Sequence, residues 1–376
     1  MKPTVLDRAF QLLDDARSPQ DFTLILHFNQ PPNIERLQAG ARSAAEYYGA
    51  GGEIKIETRI DTERFVNERL YPVPIKQMLN GATLATRFHH AAADGLSAAL
   101  WLGHQLSVAY GLTPPENSTQ LALRRQENSV RRSQFAYDGA CDPLWTITPA
   151  RSGTRHWITM NFPSVELQQA CRRTGGFTYS DLLATCALET LREWNQRHNQ
   201  NGETRVGLWL PMNIRRESYA GFGNGTSRVR LYARYPASAS LVEKAREVRR
   251  QLAWSTAHGE WVVPELPLLL TRAPGWIAAP LLRAYLNRPS IDMATGVFSH
   301  ADRWAGGARN AFADVERIEC VGLLHARQSI AINGATHRGQ TWMTFTYDTG
   351  LLRPVDVEDL SGIYRRLIHH FRRCEA

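Results

Sequence analysis

Two adjacent histidines, His89 and His90, run through three alanines into Asp94-Gly95. These residue types at this spacing suit proton transfer. A neutral imidazole, with an unperturbed pKa of about 6.5, can take a proton from a hydroxyl or amine near neutral pH. Acyl transfer from a thioester needs little more than such a base and donors for the developing oxyanion. His90 is the candidate base, able to pass the proton on to the departing thiol. Asp94, four residues further across a turn, is better placed to cap or ion-pair the loop than to act as a relay. Gly95 offers an unobstructed backbone N–H at a helix start, where an oxyanion or substrate group can be held. His89 is expected to point inward and orient the turn. A buried structural pair is the plainer alternative for the two histidines. A shared metal ion is disfavoured, because neighbouring strand residues point apart and no Cys or second ligand motif lies nearby. A second pair, His369-His370, lacks the Asp-Gly continuation and falls on helix positions.

The elements around the motif must hold it in place. Period-two alternation from Ala82 to His90 puts Leu84, Thr86, Phe88 and His90 on one side and Thr83, Ala85, Arg87 and His89 on the other. After Gly95, the residues Leu96, Ala99, Leu100, Gly103 and Leu106 have helical spacing, with Asp94 as N-cap. Strand, loop and helix are therefore the expected context. Further helices are expected at 5–13, 34–48, 165–173, 182–194 and 241–252, and at the amphipathic 357–371. Strands are expected at 22–28, 52–59, 156–162, 206–210, 227–235, 294–299 and 329–332, with a closing hairpin strand at 340–347. The stretch Trp261 to Leu286, broken by Pro264, Pro267, Pro274 and Pro280, is expected to form two or three short helices. Core helices are the plain reading and a hydrophobic tunnel lining the sharper one.

The 376 residues exceed one ordinary core, so two domains are expected. Residues 1–150 form an N-terminal lobe ending in a connecting segment, and 151–376 a C-terminal lobe. Hydrophobic residues at 43% and charged residues at 21% argue against a long disordered region. The net charge of +8 comes from scattered arginines, concentrated at Arg124, Arg125, Arg131 and Arg132 and at Arg246, Arg249 and Arg250. This surplus suits coenzyme A phosphates or an acidic carrier protein, or is simply a solvated basic surface. With no interleaved basic and aromatic run, nucleic acid is not expected as a partner. Cys141, Cys171, Cys186, Cys320 and Cys374 are odd in number and widely spaced, and no secretory signal or transmembrane segment is visible. A cytoplasmic location is expected.

The run His89 to Gly95 reads HHxxxDG and resembles the active-site motif of a large acyltransferase superfamily. That superfamily includes chloramphenicol acetyltransferase, nonribosomal peptide synthetase condensation domains, plant acyl-CoA-dependent acyltransferases and bacterial wax ester synthases. Three later stretches are similar to family segments in the expected order: Thr178 to Thr185, Pro211 to Arg216 with Gly223-Asn224, and Phe298-Ser299-His300. The chain departs from the family pattern in its shorter length, in His300 after Ser299 and in the missing DFGWG of the plant enzymes. The resemblance implies an α/β fold of mixed sheets, with two chloramphenicol-acetyltransferase-like lobes forming a V around a tunnel. It implies His90 as base, Asp94 as a structural acid paired with Arg215 or Arg216, and Asn213 and Asn224 as supports. Ser299 would help hold the tetrahedral intermediate. No bound cofactor is implied; the donor would be acyl-CoA or a phosphopantetheinyl thioester on an acyl or peptidyl carrier protein. The acceptor would be a small molecule, the product an ester or amide, and the protein a monomer. The competing expectation is a catalytically idle condensation-like domain that binds a carrier protein or peptide synthetase.

Overall fold

A computed structural model describes residues 5–15, 18–49, 54–58, 61–68, 70, 73–116, 121–124, 133–147, 151–198, 204–216, 221–260, 273–286, 288, 294–302, 306–325 and 328–375. The chain begins with α1 (Val5–Leu13), β1 (Asp21–Phe28), α2 (Ile34–Tyr48), β2 (Ile56–Thr58) and α3 (Thr62–Asn67). It continues through β3 (Ile75–Asn80), β4 (Thr83–His89) and α4 (Gly95–Ala109). Then come β5 (Arg155–Pro163), α5 (Ser164–Thr174), α6 (Tyr179–His198), β6 (Gly207–Asn213), β7 (Thr226–Tyr232) and α7 (Leu241–Ala257). The last elements are α8 (Gly275–Leu286), β8 (Gly296–Ala301), β9 (Val315–Val321), β10 (Ile330–His337), β11 (Gln340–Asp348) and α9 (Pro354–Glu375), with a 3-10 turn at Gly306–Phe312.

The strands make two mixed sheets, of order β2-β3-β4-β1-β9 and β5-β11-β10-β8-β6-β7. In the first, alternation sorts β4 as its sequence demands. Leu84 and Phe88 face a core with Leu24 and Leu26 of β1, Leu37 and Ala41 of α2, and Trp101 and Leu106 of α4. Ala85 faces the opposite side with Ile25, Met78, Val321 and the α3 residues Phe65 and Val66. Helices α2 and α4 approach so closely that a Cβ on Gly40 would collide with the Gln105 backbone. In the second sheet, Leu208, Leu231, Phe298, Ile332 and Phe345 face one core with helices α5, α6 and α9, including Leu183, Leu188 and Tyr364.

The other face of the second sheet is polar, and over β5 and β11 it is covered by β9. Thr344 and Thr346 on β11 accept hydrogen bonds from the backbone of Cys320 (3.2 Å) and Gly322 (3.0 Å), at the end of β9. The Trp157 indole on β5 donates to Glu319 on β9 at 2.7 Å. Strand β9 itself pairs antiparallel with β1. A strand from the C-terminal segment completes the first sheet, because β1 has a free edge that only a distant strand fills.

Two strands and a helix, β3, β9 and α3, go beyond the expected elements. In the described part of the stretch expected as short Pro-separated helices, Gly275–Leu286 is one helix with Pro280 inside it. It is peripheral and not a core helix: Trp276 is 79% and Leu281 48% exposed, and Ala278 and Leu282 pack on Leu12 of α1. Residues 261–272 lie outside the described set, as do Arg125, Arg131 and Arg132 and the side chain of Cys374. The cysteines Cys171, Cys186 and Cys320 are free thiols.

Candidate active site

Strand β4 delivers His89 and His90 to opposite sides of the turn that follows it. The His90 N–H donates to Gln20 O at 2.9 Å, which fixes the start of the turn. The His90 ring stacks on Phe10 of α1, with centroids 4.8 Å apart and planes 16° apart, and lies 5.0 Å from the tilted ring of Phe22. Its Nδ1 is buried without a hydrogen-bond partner. Burial pushes the His90 pKa down to about 4, against a smaller upward pull from Asp94, so the imidazole is neutral at ordinary pH. His89 faces inward: its Nδ1 accepts from Ala91 N at 3.1 Å, and its Nε2 lies 3.8 Å from Asp14 Oδ1. These contacts tie the turn to the segment just after α1.

Asp94 makes no contact with the His90 ring and does something else. Its Oδ1 accepts from Ser97 N at 2.9 Å, which caps α4. Arg215, fully buried, then donates from Nη1 to Oδ2 at 2.7 Å and from Nη2 to Oδ1 at 2.9 Å. This bidentate fork is the geometry in which Arg and a carboxylate bind most strongly. Gly225 N (2.9 Å) and the Thr226 hydroxyl (2.8 Å) fill the remaining sites on Oδ2. Burial opposes ionisation of Asp94, but the charge and hydrogen bonds of Arg215 outweigh it, and the carboxyl sits below its usual range. One buried carboxylate thus joins the motif in the N-terminal segment to the loop between β6 and β7.

The same loop is fastened at several further points. Arg215 Nε and Nη2 donate to Gly221 O and Gly223 O, and Ser97 Oγ donates to Gly223 O at 2.7 Å. Asn213 Oδ1 accepts from Arg215 N at 3.0 Å, so it supports the arginine. Asn224 Nδ2 donates to His90 O at 3.0 Å, so it holds the backbone of the candidate base. Phe222 stacks on Tyr48 of α2 at 4.9 Å, which seats the loop on the first core. Gly223, at φ 136°, takes a turn that a side chain would strain.

Of the two arginines between which the sequence left a choice, Arg215 forms the pair. Arg216 donates its N–H to Ala122 O, and its side chain is exposed. Gly95 is the first residue of α4, is exposed, and has open space where a Cβ would stand. Ser299 is half-buried on β8, opposite Asn333 of β10, and no contact joins it to His90 among the described residues.

Other residues at this junction went unnoticed in the sequence. Asp21 binds Arg87 at 2.8 Å and Arg155 at 2.7 Å, all three fully buried, and so ties β1 and β4 to the start of β5. An Arg in the apolar alternation of β4 was the available signal. Phe10, Ser97 and Thr226 carried none, since common residue types acquire their role only by position.

The chain superposes on the condensation domain of the Monacolin K polyketide synthase MokA with a TM-score of 0.68 at 11% identity, covering 100% of this chain and 97% of that one. It matches the TRI3 trichothecene 15-O-acetyltransferase from Fusarium sporotrichioides with a TM-score of 0.65 at 11% identity, covering 97% and 94%. It also matches the starter condensation domain of rhizomide synthetase RzmA, a mutant form in complex with C8-CoA, at 0.62 and 13%, covering 97% and 91%. The chain therefore has the fold of condensation and acetyltransferase domains over its whole length. Neither a protein-family model nor a curated sequence relative matches it. No helix among the described residues is long and apolar enough to cross a membrane.

Proposed function

We propose that this chain transfers an acyl group from a thioester to a hydroxyl or amine, with His90 as general base. The observation that carries the reading is a neutral, half-buried imidazole at the end of β4, fixed by its backbone and by ring contacts with Phe10 and Phe22, in the turn that leads to the exposed start of α4. In the reaction, the acceptor's O–H or N–H gives its proton to His90 Nε2 as its lone pair attacks the thioester carbonyl. The carbonyl π electrons move to oxygen, and the tetrahedral intermediate then collapses with loss of the C–S bond. The imidazolium returns the proton to the departing thiolate, so His90 ends as it began. A base depressed to about pKa 4 works in this setting because the acceptor becomes acidic only as its bond to carbon forms.

The Gly95 N–H and the Ser299 hydroxyl are the proposed contacts for the oxyanion. Asp94 and Arg215 act on the shape of the loop and not on the proton. The donor is acyl-CoA or a carrier-bound phosphopantetheinyl thioester, and the acceptor a small molecule. Support comes from the matched structures, which include a C8-CoA complex and domains of peptide synthetases. The test is incubation with a panel of acyl-CoA and acyl-carrier donors plus cell extract, read by product mass. His90→Ala is expected to abolish products while its melting temperature stays near that of the parent. Turnover retained in His90→Ala sinks the mechanism. Tight carrier binding with no product from any donor, unchanged by His90→Ala, selects the idle binding domain instead.

A further inference from the structure

The polar face of the second sheet carries a guanidinium that no carboxylate answers among the described residues. The interior arginines near the motif each have an acid: Arg87 and Arg155 share Asp21, and Arg215 has Asp94. Arg228 on β7 has none. Its guanidinium carbon sits 3.6 Å from the ring centroid of Trp209, with the Tyr285 hydroxyl and the His325 ring within electrostatic reach. Trp209 is itself held, buried on β6 with the His325 ring 4.9 Å away in edge-on contact.

The face on which this occurs is the one turned toward His90. Period two places Arg228 on the same side of β7 as Thr226, about 7 Å along the strand. The Thr226 hydroxyl reaches Asp94, and the adjoining Asn224 holds His90 O. Arg228 remains reachable by solvent, yet the protein around it, with Arg230 next on that face, depresses its pKa to about 9. A guanidinium in that setting is still charged at neutral pH. Stacking on an indole also fixes the plane of its fork, which leaves the N–H edge directed at whatever enters. An anion arriving there would meet an exposed, oriented cation, whose planar fork matches carboxylates and phosphates.

We propose that Arg228, seated on Trp209, binds a carboxylate carried by the molecule that reacts at His90, either on the acyl chain or on the acceptor. A phosphate of the donor is the less fitting occupant, because the pantetheine arm places its full length between phosphates and thioester. The inference takes from the proposed acyl transfer only the statement of which molecules enter; the anion site stands on its own geometry.

Binding tests it without requiring turnover. Succinyl-, glutaryl- and adipyl-pantetheine are titrated by calorimetry against butyryl-, pentanoyl- and hexanoyl-pantetheine, pairs that differ in a terminal carboxylate for a methyl. Free glutarate and inorganic phosphate are run at the same ionic strength. The proteins are the parent chain, His90→Ala, Arg228→Gln and Arg228→Lys, each checked for an unchanged melting temperature. At least one carboxylate ligand, thioester or free glutarate, is expected to bind about tenfold tighter than its uncharged counterpart or than phosphate. That preference persists in His90→Ala, vanishes in Arg228→Gln and is partly kept in Arg228→Lys. No carboxylate preference, a preference that survives Arg228→Gln, or tighter binding of phosphate through Arg228 each overturns it. Absence of acyl transfer with every donor, with the carboxylate preference intact, removes the proposed reaction and leaves the Arg228 site standing.

Discussion

Removal of Asp94 should unhinge the motif loop, and the cost follows from its surroundings. Asp94→Ala leaves the buried Arg215 guanidinium with only neutral acceptors, Asn213 Oδ1, Gly221 O, Gly223 O and Ser97 Oγ. It also strips Gly225 N and the Thr226 hydroxyl of their acceptor. Breaking one partner of a buried ion pair costs about 3–5 kcal/mol, and the orphaned donors favour the upper half of that range. Arg215→Met, which leaves Asp94 charged but still bonded to Ser97, Gly225 and Thr226, should cost about 3 kcal/mol. The double variant buries no unpaired charge, so it should cost less than the two singles together by about 2 kcal/mol. Urea unfolding at neutral pH, with unchanged slope, measures each value. Single losses below about 1 kcal/mol, or strict additivity, would refute the view that this pair fastens one segment to the other. Acidification gives the same pair a second test. The Asp94 pKa is lowered in the folded chain, so its contribution is present above the unfolded value near 3.9 and is lost only as pH falls through the lower folded value.

Four other outcomes are expected. The acid limb of kcat/KM should fall near pH 4 and not near 6.5, because His90 is depressed to about 4; a limb at 6.5 assigned to His90 by loss in a His90 variant contradicts its burial. Between those values the unfolded chain takes up a proton that folded His90 refuses, so stability declines as pH falls across that window. Phe10→Ala uncovers one face of the His90 ring and should raise its pKa toward 6.5, seen as an upward move of its imidazole proton resonance titration. An unmoved titration would mean that Phe10 does not contribute to the desolvation. Gly225→Ala puts a Cβ 2.7 Å from the Arg215 guanidinium and should cost about 1–3 kcal/mol with a fall in transfer, whereas Gly95→Ala, which meets open space, should leave stability unchanged.

Local signals in the chain were legible where their causes are local. Helix α2 starts at an Asn33 cap and stops at Gly49 with φ 61°, both visible as residue types. The β4 alternation and the Asp94 cap were readable for the same reason. Strand β3 was hidden because Gln77 sits fully buried in it and breaks the alternation; its amide is satisfied by Thr86 and Gln105, partners no local pattern reveals. Strand β9 pairs with a strand nearly the whole chain away. Choosing between Arg215 and Arg216 required the backbone itself: Ile214 N bonds Gly225 O and Arg216 N bonds Ala122 O, which turns the intervening side chain inward. Arg228 reads as a solvated outer position and is exposed, but sequence alternation does not reveal that its guanidinium lies over Trp209 of the neighbouring strand.

Strand β9 has a consequence for the birth of the molecule on the ribosome. Strands β1 to β4 and helices α2 and α4 are complete by residue 109, yet β1 keeps an unpaired edge until residues 315–321 have been made. An open strand edge invites pairing with other chains, so about 200 residues are translated with an adhesive flank exposed. The strand that finally covers it also docks on β5 and β11 through Glu319, Cys320 and Gly322. Closure of the first sheet and its docking on β11 are therefore one late event, and nascent chains truncated before residue 315 should aggregate where those carrying β9 do not.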